Sequence, residues 1–120
     1  MSTKKILIVD DEEDICTLLK AQLTSEGFDV TGVYSGTKAI DELQARDYDI
    51  AIIDVRLPDI NGVEILRTIR KSKPGTFVIM ITAYDDPIYQ QEAEKLGVAS
   101  YLFKPFQPKT ISELCKKLAE

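Results

Sequence analysis

Residues 5–12 of the 120-residue chain read Lys5-Ile-Leu-Ile-Val-Asp10-Asp11-Glu12, an uninterrupted apolar run that ends in three acids. Because the run shows no alternation of polar and apolar residues, it predicts a parallel strand covered on both faces of a sheet. In open sheets of this kind, ligands bind at the carboxyl ends of the strands. The acids are therefore candidate functional residues, although acids also favour the first turn of a helix.

Four further apolar runs follow, and each alternates with a stretch of helical periodicity. The predicted strands after the first are residues 29–33, 49–54, 77–82 and 101–103. The predicted helices turn these apolar side chains inward: Ile15, Leu18, Leu19 and Leu23 in the first; Ala39, Ile40 and Leu43 in the second; Ile65, Leu66 and Ile69 in the third; Ile88, Ala93 and Leu96 in the fourth (87–96); and Ile111, Leu114, Cys115 and Leu118 in the fifth (108–118). Ser35 is predicted to cap the second helix. Five strand–helix units predict one α/β domain over residues 1–120, with a parallel sheet and right-handed crossovers.

The composition excludes several classes of function. The net charge is −5, whereas a domain that binds nucleic acid by itself carries a basic face. The chain contains no histidine, which excludes catalysis or metal binding by histidine within it. No apolar run reaches the roughly 18 residues of a membrane helix, and Cys16 and Cys115 form no C-x-x-C pair. We therefore expect a cytoplasmic protein with reduced cysteines.

The polar residues that follow the predicted strands form a candidate site. Asp10 and Asp11 follow the first strand, Asp54 ends the third, Thr82 ends the fourth and Lys104 follows the fifth. Because the carboxyl ends of parallel strands meet at one edge of the sheet, these side chains are expected to converge there. Each residue alone also has an ordinary structural explanation, as a helix cap, a turn acid, a strand-end hydroxyl or a solvated lysine.

The chemistry of such a cluster favours phosphoryl transfer. Clustered carboxylates repel one another and raise each other's pKa unless a cation neutralises them. Oxygen ligands in a small site suit Mg²⁺, which takes one or two carboxylates and keeps several waters. A metal beside a carboxylate and a lysine can support phosphoryl transfer, in which the protein places the nucleophile in line and neutralises the phosphoryl oxygens. With a carboxylate as nucleophile, the product is an aspartyl phosphate.

Four segments, in order along the chain, resemble the motifs of receiver domains in bacterial two-component signalling. They are residues 6–12 (Ile-Leu-Ile-Val-Asp-Asp-Glu), 53–62 (Ile-Asp-Val-Arg-Leu-Pro-Asp-Ile-Asn-Gly), the pair Thr82-Ala83, and residues 101–106 (Tyr-Leu-Phe-Lys-Pro-Phe). The resemblance implies a flavodoxin-like fold, in which a five-stranded parallel sheet of order 2-1-3-4-5 carries five helices on both faces. It also implies the function of a response regulator.

The resemblance implies the roles of the acids and the lysine at the site. Asp54 is the expected phosphoacceptor. Asp11, Asp54 and the backbone carbonyl of Arg56 are the expected Mg²⁺ ligands, and Asp10 is expected to act on the ion through water. Lys104 is expected to pair with a phosphoryl oxygen.

The resemblance also implies a switch around this site. Thr82 is expected to move to hydrogen-bond the phosphoryl group, and Tyr101 to swing inward behind it. The Lys104–Pro105 peptide bond is expected to be cis. Arg56 and Tyr84 flank the approach of water to the phosphorus and are therefore expected to tune dephosphorylation.

The expected partners follow from the same resemblance. Because the chain has no histidine, a sensor histidine kinase or a histidine phosphotransfer protein must supply the phosphoryl group. A downstream effector or output domain is a further expected partner, and so is a second copy in a phosphorylation-dependent dimer. No membrane or direct nucleic-acid contact is expected of this domain. It is expected to catalyse only its own phosphorylation and dephosphorylation, and so not to be an enzyme in the usual sense.

Three alternatives stand beside the receiver interpretation. A pseudo-receiver would use the same fold only for docking. An aspartyl-phosphate phosphatase of the haloacid-dehalogenase type would need an aspartate two residues after a first-strand nucleophile, where this chain has Glu12. A flavin-binding flavodoxin would need a loop rich in hydroxyls and glycine after the first strand, and the acids at that place would repel a flavin phosphate.

Overall fold

Five strands and five helices alternate along residues 3–120, the part of the chain that the computed structural model describes. The strands are β1 (Lys5–Val9), β2 (Asp29–Val33), β3 (Ile50–Asp54), β4 (Phe77–Thr82) and β5 (Ser100–Phe103). The helices are α1 (Glu13–Ser25), α2 (Gly36–Ala45), α3 (Gly62–Ser72), α4 (Pro87–Lys95) and α5 (Pro108–Ala119). The predicted bounds agree with these to within one residue, which is the usual scatter at element ends.

The sheet is parallel throughout, with the order β2-β1-β3-β4-β5, and this confirms the predicted topology. Alternate residues of β1 enter two different cores. Leu7 and Val9 belong to the cluster that contains Leu66 of α3, whereas Ile6 and Ile8 belong to the cluster under α1 and α5. Because both faces are covered, the inner strands β1, β3 and β4 are apolar along most of their length, whereas the edge strand β2 contains Asp29 and Thr31.

Two apolar side chains do not lie where the helical pattern predicts. Leu18 of α1 is 55% exposed and Ile88 of α4 is 71% exposed. In α1 the buried stripe is formed by Cys16, Leu19 and Leu23, and Leu18 lies well to one side of it. In α4 the residue that packs against the core with Ala93 and Leu96 is Tyr89, not Ile88. Leu18 borders an apolar hollow on the surface with Ile15 and Phe106.

Other local predictions are confirmed. The Ser35 hydroxyl accepts a hydrogen bond from the Lys38 amide at 3.2 Å and so caps α2. Cys16 and Cys115 are buried free thiols, and burial raises the pKa of both to about 12. Both thiols therefore stay protonated at neutral pH. Within residues 3–120, no helix combines the length and the apolar character that a membrane span requires.

Helix α4 is held mainly at its C-terminal end. The Arg70 guanidinium on α3 donates to three carbonyls: Leu96 at 2.6 Å, Gly97 at 3.0 Å and Thr76 at 2.8 Å. At the other end, the Asp86 side chain makes no capping hydrogen bond to the helix. Of the nine residues of α4, Ala93 is the one that is buried. Few buried contacts and one anchored end are expected to give this helix low local stability.

We predict that amides of α4 exchange with solvent faster than those of α1 and α3, because α4 buries less apolar surface. Replacing Arg70 with Met should speed exchange in α4 about tenfold further, since the two hydrogen bonds from the guanidinium to the end of α4 are lost and each 1.4 kcal/mol is worth a factor of ten. Hydrogen exchange followed by mass spectrometry measures both effects. Arg46→Met, which removes an exposed arginine from α2, is the matched control and should leave α4 unchanged. Equal protection of the three helices would contradict the prediction.

Candidate functional site

The parallel register brings the predicted polar residues to one edge of the sheet. Val9 pairs with Ile53 and Asp54 pairs with Ile81, so the strand ends are level with one another. Asp10, Asp54 and Thr82 are almost completely buried there, at 0%, 3% and 1% exposure. Side chains at this edge therefore meet in a small, partly dry space, as the sequence predicts.

The Lys104 ammonium is at the centre of this group. Its Nζ lies 2.8 Å from Oδ2 of Asp54, 2.9 Å from Oε1 of Glu12 and 2.9 Å from Oδ2 of Asp10. Burial by itself lowers the pKa of Lys104, but the contacts with Asp54, Glu12 and Asp10 outweigh it and the pKa is raised. Lys104 therefore remains charged at neutral pH. The Lys104–Pro105 peptide bond is cis.

Burial gives the Asp10 carboxylate an electrostatic cost. Burial raises its pKa from 3.8 to about 6, and the Asp54 charge adds to this effect. The hydrogen bond from the Glu12 amide to Oδ1, at 2.9 Å, and the Lys104 ammonium act in the opposite direction. The other oxygen, Oδ2, is buried and receives no hydrogen bond from the residues that the structure describes. It has only the ion pair with Lys104, whose hydrogen bonds are directed to Asp54 and Glu12.

This arrangement fits a hard divalent cation. One oxygen from each of Asp10, Glu12 and Asp54 lies within 4.8 Å of the other two. All three donors are carboxylates, which are the ligands that Mg²⁺ prefers. One ammonium does not neutralise three acids, and Asp10 retains an oxygen without a hydrogen bond. The donor set and the excess negative charge are therefore both suited to such an ion.

Asp11 is exposed and lies outside this three-oxygen cluster. It lines the adjoining cleft of about 190 Å³, together with Asp54, Arg56 and Tyr84. Asp11 therefore lies at the site but does not contact Lys104. The contacts of Lys104 include Glu12, which was predicted only as part of the acidic run. Its position two residues after Asp10, at the start of a helix, is the only sequence signal of this contact.

The segment after Asp54 is closely packed. Oδ1 of Asp54 accepts a hydrogen bond from the Arg56 amide at 3.0 Å, and its Oδ2 accepts one from Lys104. Asn61 caps α3 by accepting from the Val63 amide at 2.8 Å. A side chain at Gly62 would overlap the carbonyl oxygen of Asp54, so only glycine permits this approach. The phosphoacceptor candidate therefore stands on a rigid turn between β3 and α3.

Arg56 and Tyr84 lie together at the mouth of the cleft. The Arg56 guanidinium is stacked 4.5 Å from the centre of the Tyr84 ring, and its Nη2 lies 3.4 Å from Oδ2 of Asp86. The Tyr84 amide donates to the hydroxyl oxygen of Thr82 at 3.1 Å. This stack places a broad planar surface next to Asp54.

Tyr101 lies on β5, where it pairs with Met80 of β4, two residues before Thr82. Its ring packs edge-on against Phe103 with the centroids 5.6 Å apart. Its hydroxyl is buried and has no hydrogen-bond partner within residues 3–120. Burial raises the pKa of this hydroxyl. The Tyr101 side chain is half-buried in this structure, and its inward swing on phosphorylation stays a prediction.

Comparison with known proteins identifies the class of domain that this fold and site define. Residues 6–116 match the family model of the response regulator receiver domain, and the chain belongs to that family. The alkaline phosphatase synthesis transcriptional regulatory protein PhoP of Bacillus subtilis is 35% identical over 115 residues, which are 96% of this chain and 48% of that protein. The regulatory protein VanRc of Enterococcus gallinarum is 40% identical over 106 residues, which are 88% of this chain and 46% of that protein. The chain therefore spans about half the length of these curated relatives.

Solved structures agree with this assignment. A CheY-like response regulator receiver domain protein from Methanospirillum hungatei superposes with a TM-score of 0.92 at 30% identity, covering 98% of this chain and 95% of that one. The chemotaxis response regulator CheY4 of Vibrio cholerae superposes with a TM-score of 0.88 at 28% identity, covering 98% and 99%. The predicted fold and family are both confirmed.

We predict that Asp10→Asn raises the melting temperature in the presence of a chelator at pH 7. A carboxyl whose pKa is raised on folding from 3.8 to about 6 destabilises the fold when it ionises, by up to about 3 kcal/mol. This loss appears as the pH rises from about 4 through about 6, so the advantage of Asn should shrink toward pH 4. Asn keeps an acceptor for the Glu12 amide. Thermal unfolding across this pH range measures the effect.

The matched control for this prediction is Asp11→Asn, which removes an exposed carboxylate next to Asp10. It should raise the melting temperature less, because an exposed charge is solvated and screened. A lower melting temperature for Asp10→Asn at pH 7 would show that the Asp10 charge stabilises the apo fold.

Proposed function

We propose that this chain is a phosphoacceptor switch in which Asp54 takes a phosphoryl group from the phosphohistidine of a partner, in a reaction that needs Mg²⁺. The observation that carries the proposal is the environment of Asp54. Its carboxylate is buried at the end of β3, bonded to the Lys104 ammonium on one oxygen, and faces the cleft that Asp11 and Tyr84 line.

The proposed metal ligands are the carboxylates of Asp11 and Asp54 and the backbone carbonyl of Arg56, with Asp10 acting through water. The excess negative charge and the oxygen of Asp10 without a hydrogen bond support a cation at this place, and Asp11 and Arg56 line the same cleft as Asp54. When bound, Mg²⁺ supplies positive charge that offsets the acids and the incoming phosphoryl oxygens. The remaining steps depend on residues of this chain and on the imidazole of the partner.

The proposed transfer needs little movement of the protein. An Asp54 oxygen forms the bond to phosphorus while the phosphorus–nitrogen bond to the partner's imidazole breaks, and the imidazole leaves with that electron pair. In this structure Lys104 donates a hydrogen bond to Asp54. After transfer it donates a charge-assisted hydrogen bond to a phosphoryl oxygen instead. The Thr82 hydroxyl turns from the Tyr84 amide to a second phosphoryl oxygen, and Tyr101 fills the space behind it.

Similarity to a receiver domain described as BeF3-activated supports a phosphoryl group as the activating ligand. The structure described as the BeF3-activated DrrB receiver domain is 27% identical to this chain, with a TM-score of 0.89 and 98% coverage of both chains. Beryllium fluoride is a stable analogue of a phosphoryl group. We infer that the same change reaches the surface formed by α4, β5 and α5 in this chain.

The proposed phosphodonor is a sensor histidine kinase or a histidine phosphotransfer protein, because the chain itself has no histidine. The relatives named as transcriptional regulators are about twice as long as the matched region. We therefore propose an effector or output domain as the downstream partner, and a phosphorylation-dependent dimer as one mode of output. Because the net charge is −5, we do not propose that this domain binds nucleic acid itself. The proposed location is the cytoplasm.

We predict that phosphoryl uptake requires both Mg²⁺ and Asp54. Intact mass measured after treatment with acetyl phosphate should show one added phosphoryl group, which is lost in Asp54→Asn and in the presence of a chelator. Asp47→Asn, which removes an exposed acid far from the cleft, is the matched control and should be modified like wild type. No uptake by wild type would favour a docking-only pseudo-receiver, and full modification of Asp54→Asn would favour a phosphatase-like nucleophile elsewhere.

We predict that Arg56 and Tyr84 slow hydrolysis of the aspartyl phosphate. Their stacked side chains cover the mouth of the cleft, and neither is an acid or amide suited to orienting an attacking water. Tyr84→Ala and Arg56→Ala should each speed decay about tenfold, which needs only about 1.4 kcal/mol of barrier. Because the two side chains support each other, the double variant should gain less than the product of the two effects.

First-order decay of the phosphorylated protein in excess Mg²⁺ measures this shielding. Ile88→Ala is the control, because it removes an exposed apolar side chain from α4, outside the residues that line the cleft. Unchanged or slower decay in both single variants would remove the shielding argument.

A further inference from the structure

The loop of residues 55–61, which follows Asp54, is bound to α2 by a single carboxylate. Oδ1 of Asp59 accepts hydrogen bonds from the Gly36 amide at 2.9 Å and from the Ile60 amide at 3.0 Å. Oδ2 accepts them from the Thr37 amide at 2.8 Å and the Thr37 hydroxyl at 2.6 Å. Gly36 and Thr37 are the first two residues of α2. Asp59 thus satisfies amides of a helix that lies more than twenty residues earlier in the chain.

The charged form of Asp59 is favoured strongly although its surface is open to solvent. The Thr37 hydroxyl and amide, followed by the Gly36 amide, hold the pKa of this carboxyl well below its usual range. The contact is steric as well as polar, because a side chain at Gly36 would overlap Cγ1 of Ile60. The hydrogen bonds and the close packing of Ile60 on Gly36 therefore fix the position of the loop tip relative to the start of α2.

The base of the same loop reaches the phosphoacceptor. Arg56 and Asn61 face each other as an isolated antiparallel bridge, and the Gly62 amide donates to the Val55 carbonyl at 2.7 Å. The Arg56 amide donates to Asp54. The loop is therefore attached at its base to Asp54 and at its tip to α2, and the Arg56 peptide lies between these two attachments.

We propose that Asp59 is a positioning residue for the phosphoacceptor site, which anchors the loop to α2 and thereby holds the Arg56 backbone where a metal ion would meet its carbonyl. This inference rests on the proposed function, since the position of that carbonyl matters only if the site binds Mg²⁺. Asp59 acts through Arg56 and touches neither the metal nor the phosphoryl group.

The test compares Mg²⁺ affinity with fold stability in the same variants. Mg²⁺ is titrated into the full chain, and the dissociation constant is read from amide chemical shifts, while melting in a chelator gives stability. Asp59→Ala should weaken Mg²⁺ binding about fivefold to tenfold. This is a small effect for a residue that orients metal ligands, for which losses of about 10-fold to 100-fold are typical. Shifts of the Arg56 and Asn61 amides should change even without metal.

Two milder variants keep the test informative should Asp59→Ala fold poorly. Thr37→Val removes one of the four hydrogen bonds and should weaken Mg²⁺ binding less than Asp59→Ala. Asp59→Asn keeps one acceptor oxygen and should be intermediate. Asp47→Asn is the charge-matched control: it removes an exposed acid that pairs with Lys73 beyond the other end of α2, and should leave Mg²⁺ affinity at the wild-type value.

The possible results separate this inference from the proposed function. Lower melting temperatures with unchanged Mg²⁺ affinity in the Asp59 variants would make Asp59 merely structural and overturn the inference alone. Weaker binding in Asp59→Ala, graded through Asp59→Asn and Thr37→Val, would support it. Failure of wild type to bind Mg²⁺ in a manner that depends on Asp54 would overturn the proposed function, and this inference with it.

Discussion

One ammonium, that of Lys104, lies between three carboxylates, and this imbalance of charge governs the site. Two of the acids, Asp10 and Asp54, are almost fully buried, so water screens their repulsion only weakly. The lysine offsets part of the cost and stays charged because of it. What remains is negative charge that burial makes expensive, as the raised pKa of Asp10 shows. A cleft with an excess of negative charge attracts cations. Because these acids are buried, binding of a divalent ion changes the free energy of the site more than it would at the protein surface.

The parallel sheet provides the rigidity that this charge cluster needs. β1 and β3 are buried on both faces, so side chains at their carboxyl ends have little freedom to separate and reduce their repulsion. Side chains at and just beyond those ends are therefore positioned by a packed scaffold. This is why ligand sites in open α/β sheets lie at the carboxyl ends of the strands. Fold stability comes from the apolar interior, and the acids at its rim detract from it.

The sequence predicts the strands, their order and the convergence of Asp10, Asp54, Thr82 and Lys104, because these follow from runs of apolar residues and from where each run ends. It does not predict how far each helix is rotated about its axis. Periodicity identifies an apolar stripe, but the neighbouring elements decide which edge of the stripe is covered, and so Ile88 is exposed. Contacts between distant segments are equally hidden from local patterns. The bonds of Asp59 to the start of α2 and of Arg70 to the end of α4 join residues over twenty positions apart.

The two loops beside Asp54 are held with very different strength. Loop 55–61 is bound at its tip by the three hydrogen bonds that Asp59 accepts from the start of α2. Loop 83–86 is held by the bond of the Tyr84 amide to Thr82 at 3.1 Å, by the stack of Arg56 on the Tyr84 ring, and by an ion pair at Asp86, at 3.4 Å. An exposed ion pair of this kind contributes at most about 1 kcal/mol. If Thr82 turns toward a phosphoryl group, the bond to Tyr84 is the one that it gives up. Loop 83–86 and the uncapped start of α4 are then the segments that can move most easily. Arg70 holds the other end of α4 in place. The motion that this anchoring permits is a pivot of α4 about its C-terminal end.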